Sequence, residues 1–303
     1  MSLMQRADFR KELQAGLYGT FGMTYEDWPV EWTDIFEQDT SEKAYEEEVL
    51  LVGLGVAEET AEGASVSFDG GGEAWTSRYV HKKVTKAFAV TEEAVDDNLY
   101  VNVSTLYAKS AAKSIRIREE VDGASVLTAG FTRIGPDGVP LFAASHPLRN
   151  GGSIGNKLAT SADFSEEGLE DACNRISRYT DDRGIPKMIK ARKVIVPVEK
   201  QFVAERIMNS DGRAGTANND LNAMKARKAI PDGFSLNHYI TDPDAWFVLT
   251  DADQGFRYFE RKGVKKSTEY EFTTGNMRCK FVKRYSFGVT DWRAGFASEG
   301  SPV

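Results

Sequence analysis

The chain is poor in the residues that usually carry covalent or metal chemistry. It has two cysteines, Cys173 and Cys279, far apart in sequence and in no metal-ligand spacing. That excludes a small secreted disulfide scaffold and fits a reducing compartment. It has three histidines, and neither His81 nor His238 has a metal-like companion two or four residues away. Positive charge is not in excess: Lys+Arg 38 against Asp+Glu 46 gives a net charge of −8. A chain held to nucleic acid through phosphates is usually basic, so this class is disfavoured for the whole chain. The opening residues MSLMQRADFRKELQAG lack the apolar stretch of a signal peptide, and no apolar run is long enough to span a bilayer. A soluble, cytoplasmic product with no membrane partner is expected. There is no internal repeat and no low-complexity tract.

What is present is a folded-protein composition over 303 residues, rich in aromatics and long enough to bury a sizeable core. Residues 3–17 read as a short helix, with Leu3, Phe9, Leu13 and Leu17 near one face. The next stretch, up to the acidic SEKAYEEE, has no clean period and holds Trp28, Trp32 and Phe36. An irregular arm with aromatics is expected to dock on a neighbouring copy. Residues 46–90 read as two strands around a long glycine-rich turn, with Gly70, Gly71 and Gly72 at its tip and Trp75 and Arg78 on the long second strand. Such a hairpin has too few apolar residues to stand alone. A long helix is expected from Thr91 to about residue 121, its buried stripe running through Val95, Leu99, Val103, Leu106, Ser110 and Ile117. A second helix is capped by Ser165 and buries Leu169, Ala172, Cys173, Ile176 and Tyr179. KVIVPV (193–198) and AWFVLTD are buried strands, and EKQFVAERIMNS (199–210) a third helix with Phe202, Val203 and Ile207 on one side. The closing strand puts Met277, Cys279, Phe281, Tyr285, Phe287 and Val289 on one face. The class is α+β.

No catalytic constellation emerges. His146, in LFAASHPLRNGGSIGN, has no nucleophile beside it in sequence and reads as a hydrogen-bonded loop residue. Gly53-x-Gly55 lacks the third glycine and the following helical stripe of a dinucleotide fingerprint. The glycines at 70–72 lack the Lys-Ser/Thr of a phosphate loop. No cofactor, metal or catalytic residue is therefore assigned. The basic patches KARK (225–228) and RKGVKK (261–266) are solvated faces or counterparts of an acidic segment on a neighbour. An arm, a hairpin and a long helix that cannot bury themselves make sense in a chain completed by copies of itself.

The order of these parts resembles that of major capsid proteins of tailed bacteriophages with the Hong Kong 97-like shell fold. LFAASHPL followed by GGSIGN, SEEGLEDACNRI leading to KVIVPV, GTANNDLNAMK, AWFVLTD and YSFGVTDWRAG are strings of the kind such proteins carry. The resemblance implies an N-terminal arm over 1–45, an extended loop over 46–90 lying across an adjacent subunit, and a peripheral domain with its spine helix over 91–159. It implies an axial domain over 160–263 and C-terminal strands over 264–303 that return to the peripheral domain. It makes the loop with Asn218, Asn219 and Asn222 a candidate contact at the centre of each pentamer or hexamer. Together with Trp28, Trp32, Phe36, the three glycines, Trp75 and Arg78, these are the expected inter-subunit contacts. The implied partners are other copies of the chain, a separate scaffold protein, a portal, a decoration protein and packaged DNA touched weakly and without sequence preference. Assembly would take place in the host bacterial cytoplasm. An encapsulin-like nanocompartment is the alternative within the fold. A soluble α/β enzyme and a tail or decoration protein are the alternatives outside that role.

Overall fold

The computed structural model describes residues 10–91, 100–212 and 221–300. The first helix, α1 (Arg10–Asp27), runs well past the expected end and stops just before Pro29, whose ring disfavours helix at the preceding residue. A single 3₁₀ turn (Trp32–Asp34) leads to β1 (Glu37–Thr40). Strands β2 (Tyr45–Val52) and β3 (Gly72–Val80) pair antiparallel, from Tyr45 opposite Val80 to Val52 opposite Gly72. His81 then interrupts what the sequence suggests is one long strand, and β4 (Lys82–Val90) belongs to a different sheet. Helix α2 (Tyr100–Thr128) follows. The expected start at Thr91 and the stripe positions Val95 and Leu99 border or fall on residues outside those described.

The larger sheet has the order β1-β10-β11-β4, with β10 (Phe256–Tyr270) and β11 (Met277–Val289) as its long central hairpin. β1 joins β10 in parallel, and β4 lines the other edge antiparallel to β11. The second sheet has the order β12-β9-β7-β8, from β7 (Ala191–Pro197), β8 (Phe234–Asn237), β9 (Trp246–Thr250) and β12 (Gly295–Ser298). All of β9 is buried, as a continuous apolar run in a covered strand requires. A short separate pair is formed by β5 (His146–Pro147) and β6 (Ser153–Ile154), antiparallel, with His146 opposite Ile154. Helix α3 (Glu166–Ile176) starts where Ser165 accepts a hydrogen bond from the Gly168 amide, and buries Leu169, Ala172 and Ile176 against Trp246 and Val248. Helices α4 (Gln201–Asn209) and α5 (Ala223–Ala226) complete this half.

Two expectations about helix faces are corrected. On α2 the buried face is Ala108, Ala111, Ala112, Ile115, Glu119, Glu120, Ala124 and Leu127, whereas Leu106 and Ile117 are exposed. Small residues win that face because α1 and the large sheet approach closely there, with Phe21 of α1 stacked on Phe281 of β11 at 4.1 Å. On α4 it is Ala204 that is buried, and Phe202 points to solvent with 74% of its surface exposed.

Trp32 and Phe36 are also corrected. They do not stand ready for a neighbour but plug the junction of the two sheets in their own chain, with Tyr258, Phe256, Phe247 and Tyr285. Trp32 lies 4.2 Å from the Tyr258 ring, and Phe36 meets Phe287 edge-on at 4.8 Å. An aromatic-rich segment without a period is a segment whose partners are distant in sequence, and here those partners are intramolecular.

Candidate assembly surfaces

The β2–β3 hairpin is fixed at its root and free at its far end. At the root, Tyr79 lies flat on Gly288, where any side chain would come within 2.6 Å of its ring. The Tyr79 hydroxyl bonds the Thr290 hydroxyl, and the ring meets Phe259 edge-on at 4.9 Å. Glu48 reaches Arg257 at 3.7 Å and accepts from Thr290. His81, which ends the hairpin, is buried. Its two ring nitrogens face the Ser41 and Ser286 hydroxyls at 2.9 and 3.0 Å. Burial, with the Arg284 guanidinium nearby, pushes its pKa down, so the hinge between β3 and β4 is held by a ring that resists charging.

Between Val52 and Gly72 the chain is irregular, and every residue from 56 to 71 is exposed. The turn at the tip is made by Ala61–Ala64, with Gly63 at φ 82, where a left-handed conformation favours glycine. Gly70, Gly71 and Gly72 therefore do not form the tip, as their sequence suggests, but sit at the base where the loop re-enters β3. There Arg183 grips the Asp69 carboxylate at 2.7 and 3.0 Å and the Gly70 carbonyl, while the Gly55 amide donates to Asp69. These donors, the Gly55 amide foremost, hold the Asp69 carboxyl below the usual carboxylate range. Beyond this clamp Leu54, Val56, Val66 and Phe68 are bare, Phe68 completely so.

The other sequence-derived contacts spread over the surface. Arg78 is exposed on the hairpin, stacked over Tyr45 at 4.5 Å and paired with Glu47. Trp75 is half-buried beside a cleft of about 310 Å³ under the hairpin root, and its indole N–H has no partner. Trp28 remains partly exposed, with the Lys113 ammonium over its ring at 5.0 Å. Asn222 is corrected: it is buried, caps α5 through the amides of Met224 and Lys225, and donates to the carbonyls of Ile207 and Ser210. A fully engaged cap is not available to a neighbour. Asn218 and Asn219 lie outside the described residues.

His146 is buried and stacked on Trp292 at 4.2 Å, with Asp137 at 2.5 Å from Nδ1 and the Asn156 carbonyl at 3.0 Å from Nε2. Both nitrogens face acceptors, so neither is left to take a proton from a nucleophile. Asn156 is the centre of this connection. It accepts from the Ala143 amide and donates to the carbonyls of Leu141, Trp292 and Gly295. Among the described residues there is no metal-like cluster of His, Cys, Asp or Glu, and no helix long and apolar enough to cross a membrane.

Sequence reasoning missed one feature, a buried charged cluster. Glu119 on α2 accepts from Lys283 of β11, from Arg116 at 3.2 Å, and from the hydroxyls of Tyr25 and Tyr258. Glu260 lies 3.1 Å from the same lysine. The signal was in the pattern: Lys283 stands in phase with Phe281 and Tyr285, and Glu119 in phase with the alanine face of α2. Next to it, Glu120 accepts from the amides of Glu31 and Trp32 at 3.2 and 3.0 Å, which ties the arm to α2. Burial pushes its carboxyl up to about 7 against those two donors.

Residues 73–298 match the family described as phage capsid protein, well over half of the chain. The chain belongs to that family. The resemblance to major capsid proteins of tailed phages is thereby upheld, and the role is that of a structural protein of the virion capsid. The capsid protein also resembles solved shells at low identity. A virus-like particle from Pyrococcus furiosus matches with TM-score 0.55 and 9% identity, over 94% of this chain and 98% of that one. The procapsid of bacteriophage JBD30 matches with TM-score 0.53 and 14% identity, over 99% and 77%. Mycobacterium phage Che8 matches with TM-score 0.54 and 12% identity, over 91% and 94%. At such identities the shared feature is the mixed helix-and-sheet fold. No curated protein matches the capsid protein.

Proposed function

We propose that this capsid protein is the repeating subunit of an icosahedral tailed-phage head with the Hong Kong 97-like fold, assembling as pentamers and hexamers around double-stranded DNA. The observation that carries the reading is the β2–β3 hairpin: rooted by Tyr79 and His81, it projects a loop whose apolar residues its own chain leaves bare. In this reading residues 1–45 are the arm, 46–90 the extended loop across an adjacent subunit, and α2 the spine of the peripheral domain 91–159. Residues 160–263 form the axial domain, and 264–303 return to the peripheral one. A separate scaffold protein, a portal and a decoration protein are its further partners, and assembly takes place in the host cytoplasm. A net charge of −8 suits a shell that touches DNA without gripping it.

A second reading, an encapsulin-like nanocompartment, is favoured by the match to nearly the whole of the Pyrococcus furiosus virus-like particle subunit. Co-expression with the proteins encoded beside it, followed by analysis of particle contents, separates the two. Packaged DNA supports the phage head; a co-purifying cargo enzyme without DNA supports the nanocompartment.

A further inference from the structure

The large sheet has one covered face and one bare face. Met277, Cys279, Phe281, Lys283 and Tyr285 of β11 are buried in the core, whereas Arg278, Lys280 and Arg284 point the other way. On that outer face the strand register sets cation against cation. Arg284 stands opposite Lys83 of β4 on one side and Lys262 of β10 on the other. Further along, Val282 lies between Thr85 and Lys265, and Lys280 between Ala87 and Ser267. Register shifts on either side of Lys262 bulge β10, and a trough of about 890 Å³ opens over the three strands.

Like charges directly opposite one another destabilise a sheet. Among the described residues Lys83, Lys262, Lys265, Lys280 and Arg284 form no ion pair, and Arg278 pairs with Glu271 beyond the trough. Glu269 is the one carboxylate among the residues that line it. The excess positive charge reaches the neighbouring His81: after burial, the Arg284 and Arg261 guanidiniums hold its pKa down. A chain with a net charge of −8 has thus gathered free cations on one face, at a cost to its own sheet.

The acidic stretches of the chain itself do not supply the counter-charge. Glu46 is bonded by Ser41 and Lys43, Glu47 by Arg78, and Glu48 by Thr290. Between residues 53 and 71, Asp69 is held by Arg183 and Glu58 accepts from Ser67, which leaves Glu59 and Glu62 against those free cations. Duplex DNA is disfavoured by the net negative charge and by the width of the trough, which at two inter-strand gaps is about 10 Å and suits one extended chain. Along β11 the cations stand at multiples of two residues, about 7 Å per step at the rise of a strand, and an extended segment lying on the sheet has the same repeat.

We propose that the outer face of the β4–β11–β10 sheet is the docking surface for an acidic, extended segment of a second protein, with Asp or Glu at alternating positions that settle among Lys83, Lys262, Lys265, Lys280 and Arg284. Charge complementarity sets its register and speeds its capture. The proposal deepens the shell reading by giving the surface and the chemistry that hold a shell-associated protein, and it rests on that reading only for what the partner does.

The test begins with the full chain as the soluble subunit, titrated with a synthetic peptide alternating glutamate and threonine over about twelve residues, close to the length of β11. The peptide is expected to bind. Lys83→Gln/Lys262→Gln/Lys280→Gln should weaken it at least tenfold while leaving the melting temperature equal or higher, because the same change relieves the cross-strand repulsion. Arg227→Gln/Lys228→Gln, outside the sheet, should leave the affinity unchanged. In particles made by co-expression with the proteins encoded beside this chain, a photo-crosslinking amino acid at Ala87 should label an acidic segment of a different protein, and the triple glutamine change should abolish that label. No binding of the peptide, equal binding by the triple variant, tighter binding of duplex DNA than of the peptide at physiological salt, or a crosslink into residues 53–71 of another copy each overturns the proposal. An absence of particles contradicts the shell reading instead, and the peptide titration is read independently of it.

Discussion

Replacing Lys283 by methionine should destabilise the subunit by about 3 kcal/mol, the low end of the range for breaking a buried ion pair. Its side chain is 5% exposed and that of Glu119 is fully buried, so neither charge is solvated once the other is gone. Methionine keeps an apolar stem of similar length and removes the ammonium, together with its contacts over the Tyr258 and Tyr285 rings at 5.7 and 5.9 Å. Glu119 retains Arg116 at 3.2 Å and two tyrosine hydroxyls, which is why the low end applies. At about 2–4 °C per kcal/mol for a chain of this order of size, the melting temperature should fall by about 6–12 °C. Urea unfolding of the soluble subunit, followed by circular dichroism and tryptophan fluorescence, reads the change. The double variant Lys283→Met/Glu119→Gln should recover part of the loss, because it removes the stranded charge. A Lys283→Met loss below about 0.5 kcal/mol, with no coupling to Glu119, would refute the reasoning, since exposed pairs are worth that little.

Glu120 gives a pH-dependent prediction. Its folded pKa, about 7, lies above its ordinary value of 4.5, so its contribution is complete below 4.5 and is lost as pH rises through 7. Glu120→Gln should therefore gain stability relative to wild type between pH 5 and pH 8 in urea unfolding; a difference independent of pH would contradict this. Gly288→Ala should destabilise the subunit by about 1–3 kcal/mol, as overpacking against the buried Tyr79 ring lifts the hairpin root. Hydrogen exchange in residues 45–52 and 72–80 should accelerate first. Arg183→Ala should leave global stability unchanged, since the pair it breaks is exposed, but should speed proteolysis within 53–71. Asn156→Asp places a carboxylate against three carbonyl oxygens and should prevent soluble expression or lower the melting temperature by several degrees.

The sequence made the local features readable and left the long-range ones hidden. Helix α3, with its serine cap and its stripe of Leu169, Ala172 and Ile176, and the apolar strands β7 and β9 follow from nearest-neighbour chemistry alone. So does the alternating face of β11, apart from Lys283 and the buried Ser286 of the opposite face. The arm was misread because the partners of Trp32 and Phe36 lie more than two hundred residues away, on β10 and β11. The faces of α2 were inverted for a related reason. Periodicity ranks side chains by apolar size, but a helix packed closely on both α1 and a sheet selects alanine and buried, paired charges. Of the larger apolar residues, Ile115 and Leu127 are buried, whereas Leu106, Tyr107, Ile117 and Val121 lie outside. Among the proposed contacts, Arg78, Trp75 and the glycines at 70–72 remain at or near the surface. Asn222 was hidden by its own capping role, which a sequence cannot separate from exposure in a polar loop.

The central claim is that the chain closes into a shell. Cryo-electron microscopy of the full-length protein expressed with its scaffold tests it most directly. The account predicts closed icosahedral particles built of pentamers and hexamers, with density for residues 53–71 of each subunit lying on a neighbour. A soluble oligomer of fixed small size, under the same conditions and with the scaffold present, would contradict it.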